Sequence, residues 1–273
     1  MGILITKADG TQEEFAREKL IHSLRKAGAE GGTLDAIVTH IEAELKPLIS
    51  TSEIYRHAFD LLRKEPKGVA ARYSLKRAIL ELGPSGFPFE AYLAELFRAQ
   101  GKEAVIDQIV KGVCVEHEVD VIFTDGKTKT YVEAKFHNAA GFKTDLKVVL
   151  YVKARIDDIQ LARKEERVAG MIVTNTKFTT RAVAYASCEG LALIGWDYPV
   201  TGNLHDIIGE TGLYPTTALT SLTRSEKNLL LAEKLVLCKS LPEQAQQMAR
   251  AGIRPSKFGK IFAEVGALCG PKS

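Results

Sequence analysis

Apolar residues recur every three or four positions through most of the first 82 residues, which predicts a helical unit at the start of the chain. A short apolar run at residues 3–7, followed by the turn sequence Asp9-Gly10, predicts a strand that opens a hairpin. Four helices are predicted next, at residues 15–24, 34–45, 54–63 and 69–82. Ser50-Thr51-Ser52-Glu53 is a capping sequence for the third helix, and Gly83-Pro84-Ser85-Gly86 predicts a linker.

Helical and strand-like patterns alternate after this linker. Phe89, Leu93 and Phe97 share one face of a predicted helix. The elements predicted to follow are strands at 112–124 and 130–136, a helix at 146–166, a strand at 171–174, a helix at 179–187 and a strand at 191–196. Strands that alternate with helices are typical of an α/β layer design.

The end of the chain has a different pattern. Pro199-Val200-Thr201-Gly202 begins a second predicted linker, and residues 221–268 have an all-helical pattern. We therefore predict a multi-domain protein of α+β and α/β parts. Its predicted parts are an N-terminal helical unit at 1–84, a central α/β core at 86–210 and a C-terminal helical segment at 215–273.

Charge is distributed unevenly along the chain, although the net charge is only +3. Residues 86–210 carry 15 basic and 18 acidic side chains, whereas residues 211–273 carry 9 basic and 4 acidic ones. Excess carboxylates in the middle of the chain suit a metal site, and a basic tail suits contact with a polyanion. A helical tail with a lysine-rich solvent face is an equally good interpretation of the charge alone.

The sequence also indicates where the protein is found. It contains no apolar run of about 20 residues, the length that a membrane span needs. Its 4 cysteines lie far apart and form no CxxC pair, which favours free thiols in a reducing compartment. We therefore expect a cytoplasmic protein without a membrane partner.

The two runs at 112–124 and 130–136 predict a hairpin with one charged face. Side chains alternate along a strand, so Glu118 and Asp120 share a face of the first strand, and Glu133 and Lys135 share a face of the second. A turn centred on Gly126-Lys127 would place Asp120 opposite Glu133. A turn at Asp125-Gly126 would instead place Glu118 opposite Glu133, with Asp120 as a diagonal neighbour.

Facing carboxylates repel each other, and a divalent cation would offset that repulsion. Mg²⁺ is commonly held by one or two carboxylates together with waters and substrate phosphate. Lys135 could orient the attacking water and stabilise charge that develops on phosphate. The alternative is that these residues form only the solvated face of a half-exposed hairpin, which is common in antiparallel sheets.

Residues 86–196 resemble the PD-(D/E)xK nucleases, in particular Mrr-like restriction endonuclease domains. The matching segments are residues 87–90, 117–122, 132–135, 171–175 followed by Phe178-Thr179 and Ala182, and residues 193–196. This resemblance implies a restriction-endonuclease-like core in which Asp120 and Glu133 bind Mg²⁺ or Mn²⁺, Lys135 is catalytic and Glu90 assists. It also implies a polar contribution from the helix after Glu133-Ala134-Lys135. The candidates there are Lys147, Tyr151 and Arg155.

Residues 3–82 resemble an ATP-cone, a small nucleotide-binding regulatory domain. The matching segments are Ile5-Thr6-Lys7, Asp9-Gly10, Phe15, Lys19-Leu20, residues 51–54 and residues 71–73. The resemblance implies that ATP or dATP binds as a regulatory ligand. Lys7 and Lys19 would meet its phosphates, Thr51 lies at a helix start where anions are favoured, and Ile5, Phe15 and Leu20 would enclose the base.

The C-terminal segment contains two amphipathic helices, at residues 225–239 and 241–250, and a tight turn into a third helix at 257–268. Arg254, Lys257 and Lys260 lie near the start of that last helix, where they could contact a DNA backbone or groove. Many helical hairpins have this pattern without binding DNA.

These patterns together predict a metal-dependent endonuclease that hydrolyses DNA and is regulated by a nucleotide. One alternative is a non-catalytic, nucleotide-sensing protein that only binds DNA. Another is a nuclease for RNA or branched DNA. Cutting both strands of a duplex commonly requires two copies of such a domain, so a homodimer is an open alternative.

Overall fold

The computed structural model describes residues 2–65, 68–83, 85–164 and 166–270. The chain forms two compact units. The first unit consists of Met1–Ala78 together with Thr216–Ser273, and the second consists of Ile79–Pro215. Pro84 of the predicted linker and Glu165 of the helix predicted to reach residue 166 lie outside the described residues.

The N-terminal part of the first unit is a short hairpin followed by helices. Its elements are β1 (Leu4–Thr6), β2 (Gln12–Glu14), α1 (Arg17–Lys26), α2 (Gly31–Glu44), α3 (Thr51–Leu62), α4 (Val69–Tyr73) and α5 (Leu75–Leu80). Strands β1 and β2 pair antiparallel. Ser50 and Glu53 form the predicted capping box at the start of α3. The single helix predicted over 69–82 is wrong, because it is broken at Ser74, whose hydroxyl donates to the Ala71 carbonyl.

The C-terminal part of the first unit is helical but discontinuous. Its elements are α10 (Arg224–Ala232), α11 (Ala245–Arg250) and α12 (Phe258–Cys269), with 3₁₀ turns at Thr216–Ala218 and Pro255–Lys257. The prediction of helix from 225 to 239 is too long, because Lys234 adopts a left-handed conformation with φ 61° just after α10.

Gly68 lies where the N-terminal and C-terminal parts of this unit are in contact. It has φ +103°, and a Cβ placed there would lie 2.8 Å from the Ala267 carbonyl oxygen. Glycine is therefore required where α12 passes α4. The sequence pattern did not indicate that the first and last segments form one unit. The boundaries predicted at 1–84, 86–210 and 215–273 stay predictions.

The second unit is a mixed sheet with helices. Its elements are α6 (Phe87–Ala99), β3 (Glu103–Lys111), β4 (Glu116–Asp125), β5 (Thr128–Lys135), β6 (Lys143–Thr144), α7 (Leu146–Ala162), β7 (Arg167–Thr174), β8 (Lys177–Phe178), α8 (Thr180–Cys188), β9 (Ala192–Ile194) and α9 (Leu204–Thr211). The main sheet has the order β3-β4-β5-β7-β9. Strands β3, β4 and β5 are antiparallel, and β5, β7 and β9 are parallel. Strand β3 and helix α9 were not predicted.

Helices α6 and α7 pack their apolar residues on this sheet. Helix α6 places Phe97 against Phe123 of β4, with ring centroids 4.6 Å apart, and Phe89 against Phe136 at 5.6 Å. Residues of α7 share a buried cluster with Ile122 of β4. The predicted combination of a helical N-terminal region, a central α/β core and a C-terminal helical segment is confirmed. Among the described residues, no helix has both the length and the apolar content for crossing a bilayer.

Candidate active site

The pairing of β4 with β5 decides between the two registers considered for the hairpin. Val121 faces Val132 and Asp125 faces Thr128, so the turn is centred on Gly126-Lys127. Gly126 has φ +60°, which this turn requires. Continuing the same register by one residue brings Asp120 opposite Glu133. The alternative with Glu118 opposite Glu133 is excluded.

Asp120 is half-buried beside the edge of this pairing. Its Oδ2 accepts a hydrogen bond of 2.7 Å from the backbone N–H of Ala134. Burial raises the pKa of the Asp120 carboxyl to about 6, against the effect of the Ala134 N–H, and the charge of Glu133 raises it further. A carboxylate that is fixed in orientation but incompletely neutralised is suited to a cation ligand.

Glu90 lies in the first turn of α6 and joins the same electrostatic site. Burial raises the pKa of Glu90 to about 7, and the negative charges of Asp120, Asp107 and Glu118 add to that increase. Asp107 has φ 55° and occupies the β3 position between the pairs that flank Asp120. The structure thus brings Glu90 into the field of Asp120 and adds Asp107, which the sequence did not indicate. The helper role of Glu90 stays a prediction.

Glu133 is held by Arg155 of α7, the helix in which the sequence indicated three candidate site residues. Nη1 of Arg155 donates to Oε2 of Glu133 at 2.7 Å, and Nη2 donates to the Tyr151 hydroxyl at 2.9 Å. The guanidinium carbon also lies 4.8 Å from the Tyr151 ring centre. Lys147 lies in the first turn of α7, where its backbone N–H donates to the capping residue Asp145. Of the three candidates, Arg155 therefore reaches the carboxylate hairpin directly, and Tyr151 is linked to it through Arg155.

These contacts weigh against a purely solvated face. The side chains of Arg155 and Glu133 are 9% and 12% exposed, respectively. Burying a charged pair has a large desolvation cost, and these two side chains belong to the interface between α7 and the sheet rather than to a solvated face.

Lys135 ends β5, and buried polar residues fix the backbone around it. Its carbonyl accepts a hydrogen bond of 2.8 Å from the Thr174 hydroxyl. The side chain of Asn175 accepts from the His137 N–H at 2.9 Å and donates to the His137 carbonyl at 2.7 Å. Burial and the positive charge of Lys135 lower the pKa of His137. The positioning role of Thr174 and Asn175 was not predicted, although buried polar residues directly after a strand were a usable signal.

The donor set fits a cation that takes few protein ligands. Among residues 2–65, 68–83, 85–164 and 166–270, no three His, Cys, Asp or Glu side chains form a ready-made metal site. Mg²⁺ commonly uses one or two carboxylates and completes its shell with water and substrate oxygens. Asp120 and Glu133 match that requirement.

The residues predicted to bind nucleotide lie in the first unit. Lys7 and Lys19 both pair with Glu13, at 2.8 and 3.1 Å, and these two lysines lower the pKa of the Glu13 carboxyl. Thr6 pairs with Ser50, which brings β1 beside the start of α3, where Thr51 is the first residue. Ile5 and Leu20 are buried, and Phe15 packs against the same cluster. The bridging carboxylate of Glu13 was not predicted.

The basic residues predicted to contact DNA differ in their surroundings. Arg254 is exposed. The ammonium of Lys257 lies 2.6 and 2.7 Å from the two oxygens of Glu226, so it is engaged within the unit. Lys260 lines a cavity of about 210 Å³ together with Arg63 and Glu264.

Comparisons with known proteins match all three parts of the chain. Residues 3–81 match the family model of the ATP cone domain, and residues 83–197 match that of a restriction endonuclease domain. These matches confirm the resemblances derived from the sequence. Residues 214–269 match the model described as AF1548-like, C-terminal.

Two relatives extend across more than one of these parts. An uncharacterised protein of Archaeoglobus fulgidus is 32% identical over 179 residues, which cover 65% of this chain and 100% of that protein. The crystal structure of a protein of unknown function, AF1548, is 30% identical with a TM-score of 0.57, covering 68% of this chain and 99% of that chain.

Proposed function

The chain belongs to the family of AF1548-like proteins, and we propose that it is a metal-dependent endonuclease that hydrolyses DNA phosphodiester bonds under the control of a nucleotide. Its restriction endonuclease domain supports a nuclease activity, and its ATP-cone suggests nucleotide regulation. The DNA substrate and the divalent metal are parts of the proposal.

The observation that carries the proposal is the geometry of the carboxylate hairpin, in which the β4–β5 register brings Asp120 opposite Glu133 and the Ala134 N–H fixes the Asp120 carboxylate. The raised pKa values of Glu90 and Asp120 support it. These values, about 7 and about 6, result mainly from burial, with neighbouring negative charges adding to it. Carboxyl groups with raised pKa values cost stability at neutral pH, and such groups concentrate at functional sites. Glu133 shares their site but is neutralised by Arg155.

Asp120 and Glu133 would hold the divalent cation. When bound, the cation would polarise the phosphoryl oxygen and lower the pKa of a water. The Ala134 N–H orients the Asp120 carboxylate, and Arg155 holds Glu133 in place. Lys135 supplies positive charge for the phosphate oxygens. Glu90, with a pKa of about 7, can exchange a proton at neutral pH.

The N-terminal unit would bind ATP or dATP as a regulator. Its phosphates would replace Glu13 as the partner of Lys7 and Lys19, because a polyphosphate carries more negative charge than one carboxylate. The start of α3 at Thr51 offers backbone N–H groups nearby.

The test is cleavage of plasmid DNA by the purified protein in Mg²⁺ or Mn²⁺, with and without ATP. Asp120→Asn should abolish cutting while the protein remains folded. Asp125→Asn is the matched control, because Asp125 lies on the same strand but at the exposed end beside the turn. Equal cutting by the wild type and Asp120→Asn would disprove the assignment.

A DNA-binding protein without catalysis is the second candidate. The ion pair between Glu133 and Arg155 favours it, because the guanidinium occupies one carboxylate oxygen that a metal would use. Binding of DNA on a gel without cutting in either metal would select this candidate.

A further inference from the structure

Two large aromatic side chains are exposed immediately beyond the carboxylate site. Phe142 lies in the segment between β5 and α7, and Tyr151 lies in the second turn of α7. Both residues are 59% exposed. Each ring contacts a residue next to the site, Tyr151 through Arg155 and Phe142 through His137, and aromatic residues exposed near a charged site commonly bind a ligand.

Tyr151 is joined to the site through one guanidinium group. Its hydroxyl accepts a hydrogen bond from Nη2 of Arg155 at 2.9 Å, and Nη1 of the same Arg155 bonds Glu133 at 2.7 Å. The ring is therefore held at a defined position relative to the carboxylate while most of its surface stays accessible. A flat ring fixed in this way loses little entropy when a second ring packs on it.

The Phe142 ring packs on the ring of His137, which lies just after the end of β5. It stacks on His137 with ring centres 5.6 Å apart and planes 3° from parallel. His137 follows Lys135 by two residues, and Asn175 binds its backbone at both the N–H and the carbonyl. The Phe142 ring is therefore stacked on His137, and the backbone hydrogen bonds of His137 to Asn175 fix its position near Lys135.

The surroundings of the two rings favour an anionic ligand. Lys143 and Lys147 are exposed in the same stretch of chain, and Lys135 precedes it. Asp145 is the acidic residue among them, and its carboxylate accepts from the backbone N–H groups at the start of α7. Basic side chains interleaved with aromatic rings are the composition that binds single-stranded nucleic acid.

We infer that Phe142 and Tyr151 stack on unpaired bases, so that the substrate is DNA with a single-stranded or unpaired segment at the scissile phosphate. In a duplex the faces of the bases are covered by their neighbours, whereas unpaired bases offer a face to an exposed ring. This inference rests on the proposed function and names the substrate class of the same site.

The test is fluorescence anisotropy with a labelled oligothymidine and with a blunt duplex, both in EDTA. Phe142→Ala and Tyr151→Ala should each weaken binding to oligothymidine about tenfold and change duplex binding less than about twofold. Leu161→Ala is the matched control, because Leu161 is also 59% exposed on α7 but lies at the far end of that helix. It should bind both probes as the wild type does.

Tyr151→Phe separates stacking from positioning. It keeps the ring and loses the hydroxyl that Arg155 contacts, so it should retain the affinity for oligothymidine. A loss equal to that of Tyr151→Ala would overturn the stacking role. So would Phe142→Ala and Tyr151→Ala variants that bind oligothymidine like Leu161→Ala, or that lose affinity for both probes equally.

Cleavage assays separate this inference from the proposed function. If the wild type cuts duplex DNA and the ring variants bind oligothymidine normally, the nuclease stands and the inference is wrong. If the rings are required to bind oligothymidine but no metal supports cutting, the inference stands and the nuclease is wrong.

Discussion

Nη1 of Arg155 lies 2.7 Å from Oε2 of Glu133, so that a helix and the central sheet are joined by an ion pair that is almost completely buried. Local sequence patterns do not predict this ion pair, because Arg155 lies on α7 and Glu133 lies on β5, 22 residues away. The contact turns a candidate metal ligand into part of the packing between two layers.

Replacing Arg155 with methionine should destabilise the protein strongly. The substitution leaves the buried Glu133 carboxylate without its partner, which costs about 3 kcal/mol or more in the free energy of unfolding. Urea denaturation at neutral pH measures this loss. Lys153→Met is the control, since Lys153 lies on the same helix and pairs with the more exposed Asp157. The control should lose about 1 kcal/mol or less, and an equal loss in both variants would contradict the prediction.

The stability that Asp120 and Glu90 contribute should fall as the pH rises from about 4 to about 8. The folded pKa values of Asp120 and Glu90, about 6 and about 7, lie above the ordinary values of 3.8 and 4.5. The folded protein therefore keeps protons that the unfolded chain has released. The stability from these groups is complete below about pH 4 and is lost by about pH 8.

Asp120→Asn should flatten this dependence and raise the free energy of unfolding at pH 8 by about 1 kcal/mol. Thermal or urea unfolding across the pH range measures both effects. Asp125→Asn serves again as the control. The same slope in Asp120→Asn as in the wild type would show that Asp120 is ionised normally in the folded protein.

Nucleotide binding should respond in opposite directions to changes in the Glu13 cluster. Lys7→Ala with Lys19→Ala removes both cations and should weaken ATP binding roughly tenfold or more. Glu13→Gln releases both lysines from their carboxylate and should strengthen it. Titration calorimetry measures these affinities, with Lys64→Ala as a control at an exposed lysine of the same unit. Unchanged affinity in all variants would remove the lysines from the site.

The basic residues of the C-terminal segment should contribute unequally to DNA binding. Arg254→Ala with Lys260→Ala should lower DNA affinity and reduce the slope of log affinity against log salt by about 2, because two phosphate contacts are lost. Lys257→Ala should instead reduce stability, because its ammonium is bound to Glu226. An unchanged salt slope in the double variant would mean that this segment is structural.

Local patterns predicted the parts of the site that depend on neighbours in sequence. Alternation along β4 and β5 is sufficient to determine which carboxylates share a face, whereas the choice between the two registers required the structure. The capping box of α3 was predicted for the same reason, since Ser50 and Glu53 are three residues apart.

Features that depend on distant parts of the chain were not predicted. Strand β3 was missed because Asp107 and Gln108 interrupt its apolar alternation at a solvent-exposed edge. The choice of Arg155 over Lys147 depends on which side of α7 faces the sheet. Glu13 has no distinguishing sequence pattern, because its role comes from the hairpin that brings it to both lysines.

At Gly68 the last helix packs closely against α4, so the first and last segments of the chain belong to one folded unit. This unit determines where the chain can be divided into fragments. Residues 79–215, which carry the carboxylate site, are an insertion within a unit that the chain leaves and later completes. A truncation after residue 215 removes a share of that unit's interior rather than an appendage. A division that preserves both units joins residue 78 to residue 216 with a short linker and expresses residues 79–215 separately.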